Sequence, residues 1–254
     1  MTLEALIFDV DGTLADTERD GHRPAFNQAF AEAGLDWHWD VDLYGELLAI
    51  TGGKERMRHY VAQYRPDYQK PVDFDDLIAR LHAAKTRHYT ALLGRGGLPL
   101  RPGVRRLLDE ARARGVRLAI ATTTTPENVT ALLHHAISPE AASWFEVIGA
   151  GDVVAAKKPA PDIYYYVLER LRLAPAQCLA IEDSENGLLA AQAAGLTTVI
   201  TVNDYTHQQN FHGAAIVLDQ MGEPGHAFQL LSGTPVNGAT MLDLALLACL
   251  QIKA

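Results

Sequence analysis

Cysteine is scarce in this chain, with only Cys178 and Cys249 among 254 residues. Both stand among apolar neighbours, so a disulfide framework is excluded and two buried thiols in a reducing compartment are expected. No run of about 18 apolar residues occurs, which leaves no candidate for a membrane-spanning helix. The opening segment, MTLEALIFD, has neither a basic leader nor a cleavage pattern. The expected location is therefore the cytoplasm, and a plastid stroma would need a leader that this segment lacks. Positive charge is also in deficit. Lys and Arg total 22 against 31 Asp and Glu, for a formal net charge of −9. That balance argues against nucleic acid and against an anionic membrane surface as the main partner. A small anionic substrate stays open, because a metal ion and a few local cations can reverse the field inside one pocket. Internal repeats and low-complexity segments are absent.

Short apolar runs bounded by polar or glycine punctuation are present: ALIFDV, VRLAIATT, FEVIGAG, CLAIED, TTVITV and the shorter AIVLD. Helical patterns lie between several of them. RPGVRRLLDEARARG sets Val104, Leu107, Leu108 and Ala111 on one face and ends at Gly115, and SENGLLAAQAAG gives a second helix from Ser184 to Gly195. Strands alternating with helices predict a parallel sheet covered on both faces.

One long stretch has no strand at all. From Asp16 to Gly97 the pattern is helical: RPAFNQAFAEAG places Phe26, Ala29, Phe30 and Ala33 on one stripe, and DFDDLIARLHAAKTRHYTALLG repeats the device. Roughly 80 residues are too many for a loop. A helical domain over 16–97, inserted into a core formed by 1–15 and 98–254, is expected. Beyond Met221 the segment MLDLALLACLQI predicts a C-terminal helix packed on the core, with no function legible in it.

In doubly wound sheets ligands bind beyond the carboxyl ends of the strands. Asp9 and Asp11 follow the first apolar run, Thr122 follows the second, Lys157 and Lys158 come after the third, and Glu182 and Asp183 close the fourth. A parallel sheet gathers these at one edge. Four acids that close repel one another, so a hard divalent cation is implied. The lysine and the hydroxyl then point to an anion in the same place, and phosphate fits best. Each motif alone has a bland alternative. D-x-D is common, KKP is usually a solvated turn, TTTT is strand-end β-propensity, and IEDS can be a helix cap. Their joint occurrence carries the reading.

DVDGT, the threonine after the next strand, KKP and IEDS together resemble the four motifs of the haloacid dehalogenase (HAD) superfamily of phosphatases and phosphomutases. The resemblance implies an α/β fold, a HAD-like Rossmannoid parallel-sheet core with an inserted α-helical cap. It implies Asp9 as the nucleophile, Asp11 as general acid and base, and Thr122 and Lys158 as catalytic partners of the phosphoryl group. It also implies Mg²⁺ held by Asp9, Asp183 and the carbonyl of Asp11, with Glu182 in support. Gly12 would let the backbone turn.

Within the insertion, TERDGHRPAFN, WDVDLYGELLAITGGKERM and HAAKTRHY resemble the CbbY branch of that superfamily. The resemblance implies removal of one phosphate from xylulose-1,5-bisphosphate, a compound that inhibits Rubisco. The link to Rubisco would be functional, without a required physical contact, and a monomer is expected. A bisphosphate needs a second phosphate pocket. Lys54, Arg56 and Lys85 are the candidate cations, and Glu18, His22 and Tyr44 could bond sugar hydroxyls. Gly52 and Gly53 would allow close approach, and Thr123, beside Thr122, is a further candidate substrate-binding residue. The alternatives are a β-phosphoglucomutase, a 2-phosphoglycolate phosphatase, and a phosphosugar-sensing binding protein without catalysis.

Overall fold

The computed structural model describes residues 3–96, 98–233 and 238–252. Gly97, the last residue of the expected insertion, lies outside the described residues. Among the described residues seven strands form one sheet: β1 Ala5–Phe8, β2 Arg117–Ala121, β3 Phe145–Gly149, β4 Cys178–Glu182, β5 Thr197–Thr201, β6 Ile216–Leu218 and β7 Leu230–Gly233. Their order across the sheet is β3-β2-β1-β4-β5-β6-β7. The first six pair in parallel, and β7 runs antiparallel to β6 at the edge. Sequence patterning did not reveal β7, whose residues are all exposed and carry no burial signal.

β1 is buried along its whole length because helices cover both faces. Successive side chains alternate between them. Leu6 and Phe8 join the core formed with α5 Val104–Ala113, α6 Pro126–Ala136 and the C-terminal α9 Leu244–Ile252. Ala5 and Ile7 face α7 Asp162–Leu171 and α8 Glu185–Ala193 on the other side. In α9, Leu244, Leu247 and Leu250 pack inward. Cys249, two residues past Leu247, therefore falls on the opposite face and is exposed, whereas Cys178 is buried. The expectation of two buried thiols is corrected to one.

Between β1 and β2 lie α1 Arg23–Glu32, α2 Val41–Leu47, α3 Gly53–Tyr64 and α4 Phe74–Leu93, preceded by a π-helical turn over Glu18–His22. Pro24 sits in the first turn of α1, where its missing N–H costs nothing. These helices close on a core of their own built from Phe26, Phe30, Trp37, Trp39, Tyr44, Met57, Tyr60, Ile78 and Leu81. The chain enters and leaves this helical unit at one place. Ala15 and Leu100 form an antiparallel bridge, and Arg101 N–H donates to Leu14 C=O at 2.9 Å.

Candidate active site

The register of the sheet brings the acids together. Phe8 pairs with Ile120 on one side and Ile181 on the other, so Asp9, Ala121–Thr122 and Glu182–Asp183 emerge side by side at the carboxyl edge. The Asp9 N–H donates to Ile181 C=O and the Thr122 N–H to Gly149 C=O, which continues the ladder one step past the strands. One carboxylate oxygen from each of Asp9, Glu182 and Asp183 lies within 4.8 Å of the others, and all three residues are buried.

Lys158 is the cation among them. Its Nζ donates to Asp9 Oδ1 at 2.6 Å, Glu182 Oε1 at 2.5 Å and Ala121 C=O at 2.8 Å, which uses all three protons. Burial works against the ammonium, but Asp9 and Glu182 outweigh it and raise its pKa. Tyr164 Oη also donates to Glu182 Oε1 at 2.5 Å. Burial pushes the Asp9 carboxyl up to about 7, with Lys158 acting in the opposite direction and Glu182 and Asp11 adding to the rise. Burial, then Asp9 and Glu182, push Asp183 well above the usual carboxylate range. One ammonium thus faces three carboxylates. A hard divalent cation fits this donor set, because it supplies the charge that Lys158 leaves uncompensated. Gly12 leaves the space: at φ 85°, a Cβ there would fall 2.3 Å from Asp183 Oδ2.

The side chain of Asp11 turns away from that cluster. Thr17 Oγ1 donates to its Oδ1 at 2.5 Å, and His22 Nε2 lies 2.8 Å from the same oxygen. Burial raises the carboxyl, but the His22 imidazole and the two hydrogen bonds outweigh it and hold it well below its usual range. His22 stacks on Tyr89 at a centroid distance of 4.0 Å. Sequence reasoning gave His22 to a sugar hydroxyl, whereas its Nε2 here serves Asp11.

Two of the cavities between the sheet edge and the helical unit border Asp11. The first, about 170 Å³, is lined by Asp9, Asp11, Thr122, Thr123, Lys158 and Asp183 below and by Glu18, Thr51 and Arg56 above. The second, about 40 Å³, is lined by His22, Gly52, Gly53, His82, Lys85 and Thr123–Thr125. Asp11, Glu18, Arg56 and Thr123 border both. Arg56 is buried; it donates to Tyr44 Oη at 2.9 Å and lies 3.8 Å from Glu18. Tyr44 Oη in turn donates to Glu18 Oε2 at 2.5 Å. Lys85 has Nζ over the rings of Phe26 and Tyr89, and burial lowers its pKa to about 8 against the pull of Asp11 and Glu18. Burial, then Lys85 and Lys54, push His82 down to about 3. Lys54 stands apart at the rim, 2.8 Å from Asp152 Oδ2.

Thr17, Tyr164, His82, Asn186 and Asn203 were not legible beforehand. Asn203 Nδ2 donates to Asp183 Oδ2 at 2.7 Å. Asn186 Nδ2 donates to Thr51 Oγ1 at 3.1 Å, from the sheet edge to the helical unit. Thr17, His82 and Asn186 stand within quoted segments whose patterns assign them no role, and Asn203 lies outside all of them, so each is tied to the site only by tertiary packing.

The model of the haloacid dehalogenase-like hydrolases matches residues 3–195 of this chain. The plasmid CbbY protein of Cupriavidus necator is 53% identical over 222 residues, which cover 87% of each chain. A crystal structure of a CbbY point mutant from Rhodobacter sphaeroides, in complex with xylulose-1,5-bisphosphate, superposes with a TM-score of 0.80. It is 46% identical and covers 86% of this chain and 95% of that one. A β-phosphoglucomutase from Clostridium difficile superposes with a TM-score of 0.70 at 22% identity, over 87% of this chain and 92% of its own, and shares the fold.

Proposed function

Because the chain belongs to the haloacid dehalogenase-like hydrolases, in their CbbY-like branch, we propose that it removes one phosphate from xylulose-1,5-bisphosphate with the help of Mg²⁺. It is a phosphatase of phosphate esters. One observation carries the finer reading. The two cavities meet at Asp11, Glu18, Arg56 and Thr123, with the acids and Lys158 at one end, Lys85 at the other and the Arg56 guanidinium where they join. A ligand with a phosphate at each end and hydroxyls between matches that distribution of charge. Relief of Rubisco inhibition would follow from this substrate.

The phosphate to be cleaved sits against Asp9, with Thr122 donating to its oxygens and Lys158 neutralising them. Asp9, Asp183 and the Asp11 carbonyl, with Glu182 in support, would hold Mg²⁺, which would supply further charge neutralisation. An Asp9 oxygen attacks phosphorus, the bond from phosphorus to the sugar oxygen breaks, and Asp11 gives that oxygen its proton. Water then attacks the aspartyl-phosphate, Asp11 takes the proton, and inorganic phosphate leaves with Asp9 restored. The ionised Asp11 beside His22 is in the state the second step needs; for the first it must swing to the leaving oxygen carrying a proton. The helical unit, over 16–97, acts as the cap that excludes water while the intermediate forms.

The test compares xylulose-1,5-bisphosphate with β-glucose-1-phosphate, each with and without Mg²⁺. Phosphate release from the bisphosphate at a much higher kcat/KM supports the reading. Isomerisation of the glucose ester without net phosphate release would make the protein a mutase. Tight binding of the bisphosphate with no turnover would make it a sensor.

A further inference from the structure

Arg101 begins the segment RPGV; it borders neither cavity that holds the acids or Lys85, but a separate one of about 530 Å³ shared with Gly12, Asp16, Glu18 and Asn203. It is nevertheless buried, 7% exposed. Its Nη1 donates to the carbonyls of Gly12 and of Thr201, the latter at 2.8 Å, and to Thr201 Oγ1 at 3.2 Å. Its Nη2 donates to Val202 C=O at 2.5 Å and Asp219 C=O at 2.9 Å, and its Nε lies 3.3 Å from Asp16 Oδ1. One guanidinium therefore fastens three separate segments and the first connection to the helical unit.

Two of those segments carry the site. Gly12 follows Asp11 directly. Val202 precedes Asn203, whose Nδ2 holds Asp183 Oδ2 at 2.7 Å. The segments touch: a Cβ on Gly12 would fall 2.6 Å from Asn203 Nδ2 as well as 2.3 Å from Asp183 Oδ2. Backbone carbonyls in an irregular turn have no ladder to fix them, and a planar five-donor fork is the side chain that can hold several at once.

We propose that Arg101 is a positioning residue for the phosphatase reaction, locking the Asp9–Gly12 turn against the Thr201–Asn203 strand end so that Asp9 and Asp183 stand at the separation one divalent cation requires. This rests on the reading above that these two carboxylates share the cation. Arg101 touches neither of them and acts through Gly12 and Asn203.

A neighbour supplies the comparison. Arg106 also spends its guanidinium on carbonyls, those of Met221, Gly222 and Leu242, and pairs with Glu110. None of these contacts belongs to the acid cluster. Arg106→Met removes the same kind of bond without touching the site.

The experiment measures kcat, KM, Mg²⁺ affinity by calorimetry, and thermal midpoint for Arg101→Ala, Arg101→Lys and Arg106→Met. Both Arg101 variants are expected to lose kcat and Mg²⁺ affinity by about 10- to 100-fold, the range typical for partners that orient metal ligands, with KM little changed. Millimolar guanidinium should restore part of the loss in Arg101→Ala. Arg106→Met should lose thermal stability while keeping kcat and Mg²⁺ affinity. If Arg101→Ala does not fold, Arg101→Lys decides alone, since a single ammonium cannot span all four carbonyls. The proposal is overturned if Arg101→Lys keeps wild-type kcat and Mg²⁺ affinity. It is overturned equally if the Arg101 variants change only the thermal midpoint, as Arg106→Met does. An Asp9→Asn control separates the two readings: if that variant keeps wild-type activity and Mg²⁺ affinity, the placement of the cation between Asp9 and Asp183 fails independently of Arg101.

Discussion

Lys54 Nζ and Asp152 Oδ2 meet at 2.8 Å, joining the first turn of α3 to the segment between β3 and α7. Asp152 is shared: Lys157 Nζ reaches its other oxygen at 2.8 Å, one residue before Lys158. Lys54, taken from sequence as a reader of the second phosphate, is thus occupied in a clasp between the helical unit and the sheet edge. Its hydrogen bonds with Lys157 and Lys54 hold the Asp152 carboxyl down at about 2.

Asp152→Asn should weaken that clasp and leave the chemistry intact. The pair is largely exposed, so KM should rise by no more than about 5-fold, kcat should hold, and the difference should fade at high salt. Because the folded pKa lies below the ordinary value of 3.8, the stabilisation from Asp152 is complete above that value and is lost as pH falls through about 2. A variant whose KM defect persists unchanged at 0.5–1 M salt, chosen as roughly the range that screens exposed pairs, would remove the clasp.

Asp9→Asn should fold normally and lose nearly all turnover while still binding the bisphosphate. An amide at the same shape is a poor nucleophile, and replacing the carboxylate lowers repulsion toward the incoming phosphate. Steady-state rates and calorimetric binding check the two halves separately. Activity near that of the wild type would take Asp9 out of the nucleophile role.

Chelation should abolish activity and Mg²⁺ should restore it, whereas Ca²⁺ should bind and inhibit through its larger, looser coordination shell. The metal-free protein should also lose stability as pH rises. Asp9 has its pKa raised from 3.8 to about 7 by burial. The folded state therefore holds more protons than the unfolded chain across that window, and stability falls from the lower value to the upper one. Bound Mg²⁺ should flatten the slope. Thermal midpoints between pH 4 and 8, with and without Mg²⁺, read this directly (a window set roughly by those values).

Lys85→Met should separate recognition from chemistry. If Lys85 binds the phosphate that is not cleaved, kcat/KM for the bisphosphate should fall by at least about 10-fold, at 1.5–3 kcal/mol per charge-assisted bond by the usual rough range. A small monophosphate ester should be hydrolysed almost as before. The wild-type kcat/KM for the bisphosphate should decline above about pH 8, where the free ammonium loses its proton. Burying that ammonium costs stability below about pH 8, and the cost is relieved as pH rises toward the ordinary 10.5. The stability gained by Lys85→Met should shrink over the same interval. Equal losses on both substrates would make Lys85 a packing residue of the helical unit.

The sheet and its helices were legible because each depends on local pattern. ALIF is apolar throughout, and a strand buried on both faces must be. Pro24 and Ser184 mark helix starts by chemistry that acts within one turn. The acids were legible because a parallel sheet brings its carboxyl ends together whatever the intervening chain does. Side-chain direction was not. Asp11 sits two residues from Asp9, yet it faces Thr17 and His22, because the turn at Gly12 rotates it out of the cluster. Asn203 and Arg101 lie far along the chain from the groups they hold, so no spacing rule could find them. β7 escaped because an exposed edge strand carries no burial pattern.

The paired crossing at Ala15 and Leu100 has an evolutionary reading. The ends of the helical unit meet there, and the aromatic core around Trp39 belongs to that unit. A stretch with adjacent ends and its own interior can be lengthened, shortened or exchanged with little disturbance to the register of the sheet. Substrate choice could then change by replacing one continuous piece of the gene, while the residues at the sheet edge stayed as they are. Inheritance of the reaction and inheritance of the ligand would be separable, and the border between them is two residues wide.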